Sequence, residues 1–421
     1  MHAKAETAPL SPEMRRYAEL DQRLLAAVRN IRILPTVSWP ASVEERLIEE
    51  FGAGRLSLPD IRYHRPELGE TRRELEAIEA EACEDHPIAE YLRRTAESWR
   101  IATQMLDAAG TDGVTEASVL LYGRPGDAIP GSSRSNLDAA AYFVNLADEL
   151  GADLETEDAA GHISAEELRR DMTAKLDAFF APGTIAVEVD PELTAKAAAG
   201  ATRIRLRGGA RFTEYDRHQL LAHEAFVHSL TALNGREQPV LASLARTSPR
   251  VTATQEGLAV FAELMSGSID IARLKRISLR ILAIEKALQG ADFIEVFRYF
   301  RKHGQNARDS FTSAQRVFRG VPLSGGAAFT KDNVYLAGLL TVHTFFRWAF
   351  KRRRLDLLHN LFAGKFALED VILLAPCFAD GMLVPSKYLP PWVQSAQGLA
   401  GKLAFSLFAN RIRMGRIGEW D

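Results

Sequence analysis

The sequence is poor in cysteine and in long hydrophobic runs, and each scarcity excludes a class of protein. It holds two cysteines, Cys83 and Cys377, which are too few and too far apart for a disulfide framework. The longest apolar stretch, residues 334–350, includes His343 and Arg347. A membrane-spanning helix needs about 20 apolar residues with few charges, so we predict a buried helix here and no membrane span.

A strong charge excess and an apolar leader are also missing. The net charge of −3 argues against a general nucleic-acid-binding protein. Residues 1–16 lack the apolar run of a secretory signal peptide, which favours a cytoplasmic location. The hydrophobic content of 47% is ordinary for a globular protein, and 421 residues suffice for two or three domains or one two-lobed enzyme.

The stretch 218–264 carries the residues that indicate chemistry. His223 and His228 flank Glu224 in the pattern H-E-x-x-x-H, and Glu256 follows in the run Q-E-G-L-A. Two imidazoles and one carboxylate form the ligand set of a hydrolytic zinc site, which keeps a fourth position open for water. Glu224, beside the first histidine, is then the candidate general base.

The spacing of the two histidines constrains the backbone. Histidines at i and i+4 lie about 40° apart around an α-helix, whereas His223 and His228 at i and i+5 would lie about 140° apart. We therefore predict a π-bulge, a kink or a helix end between Glu224 and His228. The alternative is two unrelated histidines on an amphipathic helix, with Glu256 a first-turn carboxylate that favours the helix dipole.

These motifs also resemble a known family. H-E-x-x-x-H and Q-E-G-L-A resemble motifs of the bacterial flavohemoglobin expression-modulating QEGLA-motif proteins, and so do Asn234-Gly235-Arg236 with Gln238-Pro239 and the run 329–336. Their eukaryotic relatives are the microtubule-associated tyrosine carboxypeptidases, zinc enzymes that remove the C-terminal tyrosine of α-tubulin. The resemblance covers about residues 160–390. It implies that His223, His228 and Glu256 bind zinc and that Glu224 is the catalytic base.

A peptidase needs further groups around its metal. An electrophilic donor must stabilise the oxyanion, and a carboxypeptidase also needs a fixed cation for the terminal carboxylate. The segment 319–335 offers both, with Tyr335 as the oxyanion donor and Lys331 or Arg319 as the carboxylate-binding group. Each of these residues would otherwise be an ordinary cap or surface residue.

Two short alternating runs, 184–189 and 202–207, predict strands before the metal-binding helix. They form either an ordinary half-buried hairpin or an edge strand along which a substrate peptide pairs by its backbone. Residues 201–250 contain eight arginines, Arg205 among them, against four acids. If these arginines line the cleft, they steer an acidic peptide into it.

The remaining periodicity is mainly helical. We predict a mobile tail over residues 1–10, an N-terminal helical lobe over 11–160 and a metallopeptidase core with a C-terminal helical lobe over 161–421. The acidic, aperiodic segment 151–161 marks the boundary. The predicted fold is α+β, mainly α-helical, with a zincin-like core and a small β-hairpin or sheet beside the active-site helix.

The sequence therefore predicts a zinc-dependent peptide hydrolase that acts at a C-terminal residue. A non-catalytic zinc protein that regulates or binds a partner is the alternative, and it would not need Glu224. A hydrolase of a non-peptide amide is a third option. The sequence gives neither the oligomeric state, the metal loaded in the cell, nor the substrate, which we expect to be a peptide or protein C-terminus, possibly acidic.

Overall fold

The computed structural model describes residues 10–151, 161–193 and 196–409, and it is mainly helical with two small sheets. The predicted α+β, mainly α-helical class is confirmed at this level. The proposed lobe boundary falls largely on residues outside the described ranges, as does nearly all of the predicted N-terminal tail. Both hydrophobic clusters contain residues from before and after that boundary, and the division into lobes stays a prediction.

Seven helices precede the sheets in the described chain. They are α1 (Pro12–Val28), α2 (Ile33–Val37), α3 (Ala41–Gly52), α4 (Gly69–Glu81), α5 (Pro87–Asp107), α6 (Gly113–Tyr122) and α7 (Asn136–Gly151). The sequence Ser11-Pro12-Glu13 is typical of a helix start, and α1 begins there: the Ser11 side chain accepts a hydrogen bond from the Met14 amide, and Pro12 occupies the first turn. The segment 118–122, whose pattern fits strand or helix, is helical.

The first strand directly precedes α8 (Ala165–Phe179), and the other four described strands lie between α8 and the helix that carries His223. Strands β1 (Ile163–Ser164) and β5 (Arg211–Phe212) pair antiparallel. The second sheet has the order β2 (Ala186–Asp190), β4 (Arg203–Arg207), β3 (Ala197–Ala199).

The predicted hairpin is wrong in one respect, since β2 and β4 run parallel. The segment joining them carries β3, which pairs antiparallel with β4 from the other side. Parallel neighbours need such a longer connection, whereas a hairpin needs only a tight turn.

The chain after the sheets is helical. It comprises α9 (Glu214–Leu220), a π-helix (Leu221–Ser229), α10 (Leu230–Gly235), 3-10 turns at Ala242–Ala245, Pro249–Val251 and Thr330–Asn333, and helices α11 (Thr252–Ser266), α12 (Ile271–Leu288), α13 (Phe293–Lys302), α14 (Ala307–Val317), α15 (Val334–Lys351), α16 (Leu355–Asn360), α17 (Leu368–Leu373), α18 (Ala375–Ala379), α19 (Pro391–Gln394) and α20 (Ala396–Ala409). No helix among the described residues is long and apolar enough to cross a bilayer.

Helices α11 and α15 cross at unusually close range, and two glycines allow it. A Cβ atom built on Gly257 would lie 2.2 Å from the carbonyl carbon of Gly338, and one built on Gly338 would lie 2.2 Å from the Ala253 oxygen. No side chain fits at either position. Because Gly257 follows Glu256 directly, the close contact between the two helices fixes the position of the Glu256 backbone.

Candidate metal centre

The two histidines lie on a helix that changes its winding at the predicted place. Thr213 and Asp216 form a capping box that begins α9, and the helix becomes π-helical from Leu221 to Ser229. A π-helix bonds residues five apart, so positions i and i+5 come onto one face. The rings of His223 and His228 are 4.9 Å apart between centroids. The predicted π-bulge is confirmed, and the π-helical stretch is nine residues long.

Glu256 meets both imidazoles from α11. Its Oε2 atom is 3.7 Å from Nε2 of His223 and 3.8 Å from Nε2 of His228. The three ligand atoms all lie within 4.8 Å of one another. Adjacent ligand atoms around a tetrahedral zinc ion with bonds of about 2.1 Å are about 3.4 Å apart, so small side-chain adjustments suit these three residues to the ion.

The beginning of α11 differs from the prediction. The sequence predicts that Thr254 caps this helix and that Glu256 lies in its first turn. Instead the 3-10 turn Pro249–Val251 leads into α11 at Thr252, and Thr254 lies inside the helix, where its Oγ1 accepts a hydrogen bond from the Leu368 amide at 3.1 Å. Glu256 is therefore the fifth helical residue, which weakens its interpretation as a helix-dipole carboxylate.

A second carboxylate orients the first histidine. The carboxylate of the fully buried Glu263 is hydrogen-bonded to Nδ1 of His223 at 2.7 Å. Arg273 donates to both Glu263 oxygens at 2.5 and 2.7 Å. Gln219 also donates to Glu263 at 3.2 Å. Metal-binding histidines usually pair their other nitrogen with such an acceptor, which fixes the ring. The sequence contained a signal for Glu263, which lies seven residues after Glu256 on the same helix face.

The two histidines and Glu256 have pKa values shifted in different directions. Burial opposes the charge of His223, but the carboxylates of Glu256 and Glu263 outweigh it and raise the pKa of His223 to about 10. Burial and the charge of His223 lower the pKa of His228 to about 3. Burial would raise the pKa of Glu256, yet Lys331 and His223 hold it well below its ordinary value. An ionised Glu256 and a neutral His228 are the forms that would bind a cation, and an ion held by His223 would take the place of a proton on that ring.

The three residues open onto a cavity of about 560 Å³. Its charged or imidazole-bearing lining residues are His223, Glu224, His228, Arg246, Glu256, Arg316, Lys331 and Lys365. Tyr335, Gln255 and the strand β3 line it as well. The structure thus brings together six of the predicted site residues, the three candidate ligands with Glu224, Lys331 and Tyr335.

Two of the predicted substrate-binding residues are not at the cavity. Arg205 lies on the exposed face of β4, where its guanidinium pairs with Asp190 at 3.1 Å. Arg319 is half-buried away from the lining, and burial together with the charge of Arg316 lowers its pKa to about 10. Of the eight arginines in 201–250, Arg246 lines the cavity. Strand alternation turned the β4 arginines outward, so they do not supply the cavity's charge.

Sequence reasoning missed two cations that do line the cavity. Arg316, on α14, donates to both oxygens of Asp332 at 2.5 and 2.6 Å and approaches the Tyr335 hydroxyl at 3.5 Å. Lys365 lies in the loop between α16 and α17 and is 5% exposed. Lys331, predicted from the sequence, lies 3.3 Å from Oε1 of Glu256. No local pattern connects residues 316 and 365 to the H-E-x-x-x-H helix, and only the fold brings them there.

The Asn234 motif has a structural role. Asn234 donates to the carbonyls of Phe362 and Tyr388 at 2.7 and 2.8 Å, and Gln238 donates to those of Ala363 and Val384, both at 2.9 Å. These two amides tie the loop that contains Lys365 to the end of the metal-binding helix. The motif therefore contributes to the site through the backbone that it anchors.

Comparison with known proteins agrees with this geometry. The sequence profile of the family described as microtubule-associated tyrosine carboxypeptidase matches residues 49–411, most of the chain. The chain belongs to this family. A search of curated proteins found no match. The matched range includes both histidines, Glu256 and every other residue that lines the cavity except Leu34.

Proposed function

We propose that this family member is a zinc-dependent carboxypeptidase with a zincin-like active site. The observation that carries the proposal is the convergence of His223, His228 and Glu256 within 4.8 Å, with Glu224 on the same cavity wall. Three protein ligands leave a position open, which is typical of catalytic zinc sites and not of closed structural ones. The family's description as carboxypeptidases supports the reaction class.

The chain supplies each part that peptide hydrolysis needs. His223, His228 and Glu256 would hold the ion, and zinc, when bound, polarises the scissile carbonyl and activates the attacking water. Glu224 takes the proton from that water and delivers it to the leaving amine. Burial raises the pKa of Glu224, with a further contribution from the charge of Glu256, which makes the carboxylate a better base near neutral pH.

Tyr335 is the proposed donor to the oxyanion. It lines the cavity, and its hydroxyl lies 3.5 Å from an Arg316 guanidinium nitrogen. Arg316 is fixed by its two bonds to Asp332, so it presents a positive charge beside the phenol. A donor that is already oriented stabilises the developing negative charge without reorganisation.

The substrate backbone is proposed to pair with β3. This strand lines the cavity, and it lies at the edge of its sheet with β4 on one side. Its three alanines leave room for an extended peptide. Ser229, at the end of the π-helix, donates to the Gly200 carbonyl at 2.8 Å and so fixes the strand relative to the histidines. An edge strand beside the metal ligands positions a peptide by main-chain hydrogen bonds.

The test compares release of C-terminal amino acids from a peptide library with the zinc content of each variant. Wild type should bind one zinc per chain and release amino acids. Glu224→Gln should keep the metal and lower turnover by roughly 10²–10⁴-fold, because it removes only the base. His228→Ala should lose metal and activity together.

Two results would overturn the proposal. A fully loaded wild type that cleaves nothing across a broad library favours the non-catalytic zinc-binding alternative. Equal turnover by wild type and Glu224→Gln shows that the assigned base is wrong even when the metal is present.

A further inference from the structure

Four cations line the cavity, and two of them are already neutralised by carboxylates. Lys331 lies 3.3 Å from Oε1 of Glu256. Arg316 is held by both oxygens of Asp332. A carboxylate that entered the cavity would have to compete with these existing ion pairs for either group.

Arg246 is partly occupied by neutral groups. One of its guanidinium nitrogens donates to the carbonyls of Val28 and Arg29 at 2.9 and 3.3 Å. The guanidinium also lies over the ring of Trp99, 5.8 Å from its centroid. These contacts tie Arg246 to the wall, where it supplies charge at longer range.

Lys365, like Arg246, has no carboxylate partner among the described residues, but it is buried, whereas Arg246 is half-buried. Its Nζ atom donates to one group, Oε1 of Gln255, at 3.1 Å, and it forms no ion pair with any residue in the described ranges. The charges of Glu256 and Glu224 act on Lys365 from beyond ion-pair distance, and an ammonium group carries three donors. A ligand with a negative charge would supply the direct ion pair that the described residues do not.

The position of Lys365 is also fixed. Its amide donates to the Leu244 carbonyl at 2.7 Å, and the preceding Gly364 packs so closely that an added Cβ would lie 2.8 Å from Cβ of Leu244. The amides of Asn234 and Gln238 anchor Phe362 and Ala363, just before it. A lysine on an anchored backbone, with its Nζ atom bonded to Gln255, selects a carboxylate by position as well as by charge.

We propose that Lys365 binds the free α-carboxylate of the substrate's C-terminal residue, which makes the site specific for chain ends. The inference rests on the proposed peptidase function and assigns its specificity. It replaces Lys331 and Arg319 in the carboxylate-binding role that the sequence suggested for them. Charge-assisted hydrogen bonds to a carboxylate in a buried site are the strong ones, so removing the cation has a large effect.

The experiment uses pairs of peptides that are identical except for a free or an amidated C-terminus. The sequence is one from which zinc-loaded wild type releases a residue. Lys365→Met should lower kcat/KM on the free acid by about 100-fold and leave slow cleavage of the amide unchanged. Lys365→Gln, which removes the charge but keeps a hydrogen-bonding side chain, should behave in the same way.

Two other lysines supply the controls. Lys331→Met should lower cleavage of free-acid and amidated peptides alike, because Lys331 pairs with the candidate metal ligand Glu256. Lys351→Met, at an exposed position at the end of α15, should change neither. Zinc content and thermal unfolding of every variant exclude loss of metal or fold as the cause.

Binding gives a readout that does not depend on turnover. In the Glu224→Gln background, fluorescence anisotropy should show that the free-acid peptide binds about 100-fold more tightly than the amide. The added Lys365→Met change should remove that preference. Equal losses on both peptides, or a preference that survives in Lys365→Met and Lys365→Gln, would overturn the assignment to Lys365 and leave the peptidase proposal intact. A wild type that cleaves no peptide overturns the peptidase proposal itself.

Discussion

Two carboxylates that the fold shields from water lie in opposite environments. Glu256, on α11, faces Lys331 and two imidazoles, and its pKa is held well below the ordinary value although burial acts to raise it. Asp21, on α1, is fully buried, whereas the Glu256 side chain is 17% exposed, and the pKa of Asp21 is raised to about 7. The main partner of Asp21 is a neutral one, the Ser243 amide, which donates to Oδ2 at 2.9 Å.

The two pKa values differ because the groups around each carboxylate differ in charge. Burial acts to raise the pKa of both carboxylates, but of the two only Glu256 lies among cations that keep it ionised. An ionised carboxylate beside two imidazoles can bind a metal ion. Asp21 instead joins α1 to the 3-10 turn at 242–245, where Tyr91 contacts the Ser243 hydroxyl at 3.1 Å, and its role is structural.

The largest expected effect comes from removing the charge of Glu256. Glu256→Gln leaves Lys331 without its counter-charge and supplies a neutral amide in place of an anionic ligand. Zinc affinity, measured by competition with a chelator, should fall by more than the roughly 10–100-fold typical of changes behind the ligands. Peptidase activity should disappear with the metal. Retention of one tightly bound zinc per chain would show that Glu256 is not a ligand.

Neutralising Asp21 should be favourable: it should raise the free energy of unfolding, by an amount that depends on pH. The unfolded chain releases this proton near pH 3.8 and the folded chain near pH 7, so stability contributed by Asp21 falls as the pH rises between these values. Asp21→Asn removes this pH-dependent loss of stability. Its free energy of unfolding should match wild type near pH 4 and exceed it by on the order of 4 kcal/mol at pH 8.

Urea unfolding at several pH values measures this difference. Asp112→Asn, at the exposed start of α6, is a matched control, and its stability should follow wild type at every pH. A gap between wild type and Asp21→Asn that does not change from pH 4 to pH 8 would contradict the assignment.

The two carboxylates also differ in how visible they were in the sequence. The pair His223 and His228 predicted a π-helical turn because five-residue spacing is a local property. Glu256 followed from its motif, and Glu263 lay within reach of the same helical reasoning, seven residues on. Asp21 gave no such signal, because its burial depends on contact with Ser243, more than two hundred residues away.

The rest of the site depended on long-range packing. Arg316 and Lys365 reach the cavity from a helix and a loop whose sequences carry no metal-site pattern. Conversely, Arg205 had a suggestive sequence context, but its strand faces it away from the cavity. The parallel arrangement of β2 and β4 was also hidden, because neighbouring alternating runs look the same whether they pair antiparallel across a tight turn or parallel after a longer connection.

The crossing of α11 and α15 tests how strictly Glu256 must be placed. Gly257→Ala would put a methyl group 2.2 Å from the Gly338 backbone, which has no flexible side chain to move aside. The helices must separate, and we expect a destabilisation of about 3 kcal/mol together with weaker zinc binding. Gly52→Ala, at the open end of α3, is the control, and it should be neutral or slightly stabilising. Unchanged stability and zinc affinity in Gly257→Ala would show that the close crossing is not required.

The smallest effect concerns Glu263, a third buried carboxylate whose compensation comes from Arg273 as well as from His223. Glu263→Gln keeps an oxygen that can accept from His223 but removes the charge that strengthens the imidazole as a ligand. Zinc affinity should fall by roughly 10–100-fold, while turnover at saturating zinc stays near wild type. The paired variant Glu263→Gln/Arg273→Met removes the uncompensated arginine, so it should recover folding stability without recovering zinc affinity. If the double variant instead restores both, Glu263 acts by supporting the fold, and its contact with His223 does not tune the metal.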